Sequence, residues 1–385
     1  MVNQPSSSAR SALIKPFIAM DMLREANARE ASGGDVIHME VGQPSSRPPR
    51  KVIEAAKQTL DVDRIGYTNA LGIPALRERI AQHYKDTYDL NVPAERVVVT
   101  TGSSGGFVLA FLAAFEAGGS LALPVPGYPA YKNLLSALGL EMVEIETGPS
   151  SRWAPDPADI AAMAGDIDGV LIASPNNPTG TMLSPDALRQ VCDVCAKSGL
   201  WFISDEIYHG LTFGMKQASA LQFSDDAIVI NSFSKYFCMT GWRIGWMVVP
   251  ERLLRTVECL SQSIFISSPT LSQHAAIAAF DAVEETEALK AVYARNRELL
   301  LNEMPKAGFT EFTPVDGAFY IYADVSRFTN DSYAFAEKML RETGVATTPG
   351  ADFDNARGNS FLRFSFAGST PDMQEAVNRL KAWLA

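Results

Sequence analysis

The sequence predicts an α/β protein: a large domain built on a mostly parallel sheet covered by helices, followed by a smaller α/β domain. Three observations carry this. Between about residues 96 and 231, short continuous apolar runs alternate with helical patterns, as in strands buried on both faces. After Pro269 the pattern changes to long amphipathic helices with two late strands. The 385 residues also exceed one ordinary core, at ~100–200 residues per domain.

The elements follow in order. Pro16–Glu30 reads as a helix and Asp35–Val41 as strand-like. Arg96–Thr101 is a β-branched run, followed by a Gly/Ser turn and an apolar helix around Phe107–Ala117. Ser120–Leu123 is a short strand, Tyr131–Leu138 a helix and Glu141–Ile145 a strand. Gly169–Ala173, Leu200–Ser204 and Ala227–Asn231 are three more buried-type strands. Between the first two, Ser184 with Pro185 starts a helix and Gly199 stops it. Helices then cover Leu271–Val283 and Glu285–Met304. The last part alternates strand Ala318–Ala323, helix Ser332–Thr343, strand Phe361–Phe366 and helix Pro371–Leu384. We divide the chain into an N-terminal segment over 1–46 that packs with the small domain, a large domain over 47–284 and a small domain over 285–385.

Composition excludes several classes. Hydrophobic residues are 47% and charged residues 20%, a globular balance. A net charge of −11 repels phosphate backbones, and no local basic patch offsets it, so nucleic acid is not an expected partner. No apolar run reaches the ~18–20 residues of a membrane helix. The N-terminus lacks the charged start and apolar core of a secretory signal. Its Ser-rich start with Arg10 and Lys15 has some transit-peptide character, which Asp21 and Glu25 oppose. Four cysteines do not make a disulfide scaffold, so a cytoplasmic location is the default. Cys192 and Cys195 have C-x-x-C spacing, but a structural zinc site wants a second ligand pair; helix packing is the simpler reading. None of His38, His83, His209 and His274 has metal spacing.

In open parallel sheets, ligands bind beyond the carboxyl ends of the strands. Those ends carry Thr101-Gly-Ser-Ser-Gly-Gly106, Pro126-Gly-Tyr-Pro-Ala-Tyr131, Ser174-Pro-Asn-Asn-Pro-Thr-Gly180, Ser204-Asp-Glu-Ile-Tyr208 and Ser232-Phe-Ser-Lys235. One edge thus gathers anion donors, an aromatic, an amide, a carboxylate with a phenol, and a lysine. Asp205 ends an apolar strand, where a buried acid wants a cation; the plainer alternative is a helix N-cap that starts a turn. Ser103 and Ser104 open a helix, where free N–H groups favour a phosphate. Arg363 lies inside an apolar strand and wants a carboxylate, from a ligand or from a structural ion pair.

With Ser232-Phe-Ser-Lys235 running into Thr240-Gly-Trp-Arg-Ile-Gly245, and with Ser174–Gly180, the sequence resembles the class I/II aminotransferases of the fold-type-I, pyridoxal-phosphate-dependent enzymes. The resemblance runs from Val41-Gly-Gln-Pro44 to Arg363. It implies a seven-stranded-type sheet and a pyridoxal 5′-phosphate (PLP) cofactor. Lys235 would form the Schiff base with the cofactor aldehyde and later shuttle a proton. Asp205 would keep the pyridine nitrogen protonated. Tyr208 and Asn177 would reach the cofactor's phenolic oxygen, and Tyr128 would stack on its ring. Ser103, Ser104, Ser232, Ser234 and Arg243 would form the phosphate cup, with Ser232 and Ser234 open to a plain turn reading. Arg363 would clamp the substrate α-carboxylate, aided by Asn177 and by close backbone approach at Gly42. Tyr67 would reach the phosphate of a neighbouring subunit, which makes the expected assembly a homodimer with shared active sites. A lid formed by residues near Phe17 is also implied by the resemblance alone.

The expected reaction is transamination between an L-amino acid and a 2-oxo acid such as 2-oxoglutarate or pyruvate. The loop after Thr101 and the stretch Ser261–Leu271 carry no Lys or Arg for a distal carboxylate. A neutral aliphatic or aromatic substrate is therefore favoured, with aspartate open. A lyase or an acyl-transferring synthase could use the same residues. A non-enzymatic regulator is disfavoured by the acidic chain and by the short segment before Arg47.

Overall fold

The computed structural model describes residues 7–385. Within the N-terminal segment, residues 1–6 lie outside the described residues. The helices are α1 (Ile18–Ala31), α2 (Arg50–Val62), α3 (Pro74–Tyr88), α4 (Gly102–Ala114), α5 (Pro129–Leu138), α6 (Pro157–Met163), α7 (Pro185–Ser198), α8 (Glu251–Ile264), α9 (Thr270–Ala279), α10 (Val283–Glu303), α11 (Ser332–Thr343) and α12 (Thr370–Leu384). The strands are β1 (Ile37–His38), β2 (Val97–Thr100), β3 (Ser120–Val125), β4 (Glu141–Glu146), β5 (Gly169–Ala173), β6 (Trp201–Asp205), β7 (Ile228–Ser232), β8 (Gly245–Val248), β9 (Tyr320–Asp324), β10 (Val345–Ala346), β11 (Thr348–Pro349) and β12 (Phe361–Ser365).

Seven strands form one sheet in the order β2-β8-β7-β6-β5-β3-β4. All run parallel except β8, which is antiparallel to both its neighbours. The sequence reading finds six of these strands and misses β8. That strand leaves the Thr240–Arg243 turn without a break, so its apolar run reads as the tail of a motif. Side chains alternate across the sheet as the pleat requires. Val97 and Val99 join the apolar cluster on one face, while Val98 joins the other. Helix packing on both faces explains why the inner strands are largely apolar, whereas the edge strand β4 carries Glu141, Glu144 and Glu146.

Local signals set the helix bounds. Ser184 caps α7 by accepting from the Ala187 N–H at 3.2 Å, and Gly199 ends it in the left-handed region at φ 69°. Cys192 and Cys195 are buried free thiols on the face of α7 that packs on the sheet. α4 starts at Gly102, earlier than the sequence suggests, so Ser103 and Ser104 lie in its first turn.

A third apolar cluster unites α10, α11, α12 and the antiparallel sheet β11-β12-β9. Met22 and Ala26 of α1 and Ile37 and Met39 around β1 are buried in it, and β1 pairs in parallel with β10. No helix among the described residues is long and apolar enough to cross a membrane.

Candidate active site

Of the six parallel strands of the large sheet, five (β2, β3, β5, β6 and β7) lead into site residues at their carboxyl ends. β12 and the segment after β1 face those ends across a cavity of about 650 Å³. Every site residue named from the sequence lines it except Ser232 and Tyr67.

At one end is the first turn of α4. Thr101 makes no side-chain cap and no acidic residue sits in that turn, so the helix offers free N–H donors. Gly102 has φ +67°, and a Cβ there would lie 2.5 Å from Arg243 Nη2, so only glycine lets the guanidinium come this close. Arg243 Nη1 donates to the Thr240 carbonyl at 2.9 Å. Ser234 reaches the cavity, whereas Ser232 stands behind it. The Ser232 hydroxyl accepts from the Ser234 N–H at 3.0 Å and donates to Ser234 Oγ at 2.9 Å. Ser232 therefore holds Ser234 in place and is not itself part of the cavity wall. A helix end, hydroxyls and a guanidinium together can hold a tetrahedral dianion.

Lys235 follows β7, and its amine donates to the Gly42 carbonyl. Burial, then the charges of Arg363 and Arg243, lower its pKa to about 8, against an opposing pull from Asp205. A fully solvated amine would be far more basic, so this one is primed to lose its proton near neutrality.

Asp205 ends β6 and is buried. Its Oδ1 accepts from the Ile207 N–H at 3.1 Å, the turn-forming contact, and its Oδ2 accepts from the Tyr131 hydroxyl. Burial raises its pKa to about 6, offset in part by those two hydrogen bonds. No Lys, Arg or His forms an ion pair with it among the described residues. A cationic ring nitrogen is the kind of partner such a carboxylate lacks.

Arg363 closes the other end. It is 3% exposed. Its Nη1 donates to Asn177 Oδ1 at 2.9 Å, and its Nη2 donates to the Glu40 carbonyl at 2.5 Å and to Thr348 Oγ1 at 3.0 Å. Its Nε has no partner, and its carbon lies 4.4 Å from the Tyr320 ring centroid. All its described partners are neutral, so the structural ion pair that the sequence leaves open does not form. A buried guanidinium in that state calls for an anion from the cavity.

Tyr128 caps α5 and lines the cavity, with Phe17 stacked beside it at 6.1 Å. Asp352 accepts from the Ile18 and Ala19 N–H groups, which fixes the start of α1 over the cavity. Asn176 is the turn-builder next to Asn177: its side chain donates to the Pro126 carbonyl and to Thr179 Oγ1. Tyr67 is 82% exposed and outside this cavity. His209 does not line the cavity, and its Nε2 meets the Ser174 carbonyl at 3.1 Å.

Sequence reasoning misses Tyr131 and Tyr320. The sequence reading places one in the helix Tyr131–Leu138 and the other in the strand Ala318–Ala323, and gives neither a role. Tyr131 closes the Pro126–Tyr131 motif after β3, whereas Tyr320 begins β9 and no such motif adjoins it.

A family model described as aminotransferase class I and II matches residues 34–380. The chain belongs to that family. Its members depend on PLP. The aminotransferase is 49% identical over 375 residues to a valine–pyruvate aminotransferase of Mycobacterium tuberculosis, covering 96% of this chain and 97% of that one. It superposes on the crystal structure of an aminotransferase from the same organism with a TM-score of 0.97, at 47% identity and 99% coverage of each chain. A structure of aspartate aminotransferase from Thermus thermophilus with maleate gives a TM-score of 0.93 at 28% identity, covering 98% of this chain and 100% of that one. The aminotransferase thus has the family's α/β fold, and amino acids with 2-oxo acids are the substrates the family implies.

Proposed function

We propose that this aminotransferase uses PLP held at Lys235 to move the amino group of a neutral L-amino acid, aliphatic before aromatic, to a 2-oxo acid such as pyruvate or 2-oxoglutarate. The observation that carries this is the arrangement around Lys235. Its amine, with a lowered pKa, shares the cavity with a carboxylate that has no ion-pair partner among the described residues, with two guanidiniums, and with a helix start that carries no acidic residue.

The residues present fit the cofactor. The α4 end with Ser103, Ser104, Ser234 and Arg243 would hold its phosphate, and Asp205 would hold the proton of its ring nitrogen. Tyr128 would cover the ring, while Tyr208 and Asn177 would meet the phenolic oxygen. When bound, PLP supplies an electrophilic aldehyde and an electron sink for the bonds at the substrate Cα. Arg363 and Asn177 orient the substrate by its α-carboxylate, with Gly42 letting the backbone come close. Lys235 Nζ then accepts the Cα proton, which its near-neutral pKa permits. The α1 start, with Phe17 and Met20, limits access of water.

The preference for a neutral side chain rests on charge. Lys235, Arg243 and Arg363 are the cations lining the cavity among the described residues, and each has a use. Phe17, Ala19, Met20 and Val41 supply apolar wall. The valine–pyruvate relative points the same way.

The helix end also lies open: Arg243 and Ser104 are exposed. Tyr67 and Val62 are exposed at 82% and 87%, apolar surface that a second copy would cover. We read the enzyme as a homodimer with shared sites, divided at about residues 46 and 284, in a reducing compartment such as the cytoplasm.

Borohydride reduction of PLP-treated protein, followed by peptide mass mapping, tests the core of this reading. A reduced adduct on Lys235 is expected; an adduct elsewhere, or none, would refute it. Steady-state assays should then rank neutral aliphatic amino acids above aspartate.

A further inference from the structure

Tyr320 joins the two ends of the chemistry. It is fully buried on β9, and its hydroxyl lies 2.8 Å from that of Tyr208. The Arg363 guanidinium carbon sits 4.4 Å from its ring centroid. The hydroxyl also fills the space beside Gly42, where a Cβ would lie 2.2 Å from it. Among the described residues, Tyr208 is its sole hydrogen-bond partner.

The pair can form in either sense, and the cation beside Tyr320 favours one. A phenol has one proton to give and lone pairs to receive. If Tyr320 donates to Tyr208, both protons find use, because Tyr208 can then donate into the cavity. In the reverse order Tyr320, which also lines the cavity, would have to turn its own proton there instead. The cation over the Tyr320 ring draws electron density from its face and strengthens its hydroxyl as a donor. Linked hydrogen bonds polarise one another, so the change passes on to Tyr208.

We propose that Tyr320 is a positioning residue that donates to Tyr208, turns the Tyr208 proton toward the cavity, and reports to it whether Arg363 holds a carboxylate. A bound carboxylate offsets the guanidinium charge, weakens Tyr320 as a donor and so weakens Tyr208. The proposal rests on the cavity being the PLP site.

The test uses the PLP-loaded Tyr320→Phe enzyme, which keeps the ring and loses only the hydroxyl. The readout is the pH midpoint of the cofactor's absorbance change, with and without isovalerate, a carboxylate that has no amino group to react. The variant's midpoint should rise by about 0.5–1 pH unit, the size of one hydrogen bond. The shift that isovalerate causes in the wild type should shrink at least about twofold in the variant. Tyr208→Phe should move the midpoint further, and the double variant should equal Tyr208→Phe alone. A Tyr320→Phe midpoint and an isovalerate shift equal to wild type would overturn the proposal, as would additive single variants. A wild type that takes up no PLP would instead overturn the cofactor reading.

Discussion

The two arginines at the ends of the cavity stand in opposite surroundings. Arg243 is exposed at the rim, tied to the Thr240 carbonyl beside the open start of α4. Arg363 is 3% exposed and enclosed by neutral acceptors and an aromatic ring. The same side chain therefore has different leverage at each end. At the closed end, desolvation makes one ionic contact costly to lose. At the open end, water screens the charge, unless a second copy of the chain covers it. In the proposed reading, one chain would complete its carboxylate clamp alone, while its helix end would await a second copy.

Loss of the closed-end arginine should have the larger effect. Arg363→Ala should lower kcat/KM by about 100- to 1,000-fold, the range for removing one partner of a buried charge contact. Steady-state kinetics with a neutral amino acid would show it, and a loss under tenfold would mean that the clamp lies elsewhere. Arg243→Ala should weaken PLP affinity by about tenfold if that end stays in water. Equilibrium titration of cofactor-free protein checks this. A loss of about 100-fold or more would show that the partner buries Arg243, and Tyr67→Phe should then weaken PLP binding as well.

The ends also differ in how far the sequence reveals them. The helix end comes from two contiguous stretches, Thr101–Gly106 and Ser232–Arg243, each directly after a strand. Local patterning suffices to find such residues. The closed end is assembled from Glu40, Gly42, Asn177, Thr348 and Arg363, brought together by three sheets. Arg363 was legible because a charge inside an apolar strand needs a reason. Glu40 was not, since its backbone carbonyl acts there and a carbonyl has no sequence signature. Tyr131 and Tyr320 escaped for a related cause: a tyrosine on a buried face reads as packing until its hydroxyl partner is known. β8 was hidden because it continues a motif, which also concealed the one antiparallel strand of the main sheet.

Two pH responses sharpen the comparison further. In the proposed reading, Lys235 would need its neutral form to capture the cofactor aldehyde. Its lowered pKa means that the capture rate of cofactor-free protein should rise with pH and level off above about pH 8. Stopped-flow absorbance reads this; a rise continuing to pH 10 would show an ordinary lysine. The smallest effect concerns the closed end. The hydrogen bond to Glu40, with Glu30 also near, raises the pKa of His38 to about 9. A histidine whose folded pKa exceeds its unfolded value of about 6.5 stabilises the fold fully below that pH. The contribution is lost as pH rises through about 9. Melting temperatures of wild type and His38→Gln should therefore differ at pH 6 and converge by pH 10. A gap that persists would place the stabilisation in packing and not in charge.

The central claim is that these residues perform amino-group transfer. Its most direct test is rapid mixing of the PLP-loaded enzyme with a neutral aliphatic L-amino acid and no acceptor, followed by absorbance. The account predicts full conversion of the bound cofactor to its amine form, one equivalent of 2-oxo acid per chain, and return of the first spectrum on adding a second 2-oxo acid. Release of ammonia, or a spectrum that no 2-oxo acid restores, would contradict it.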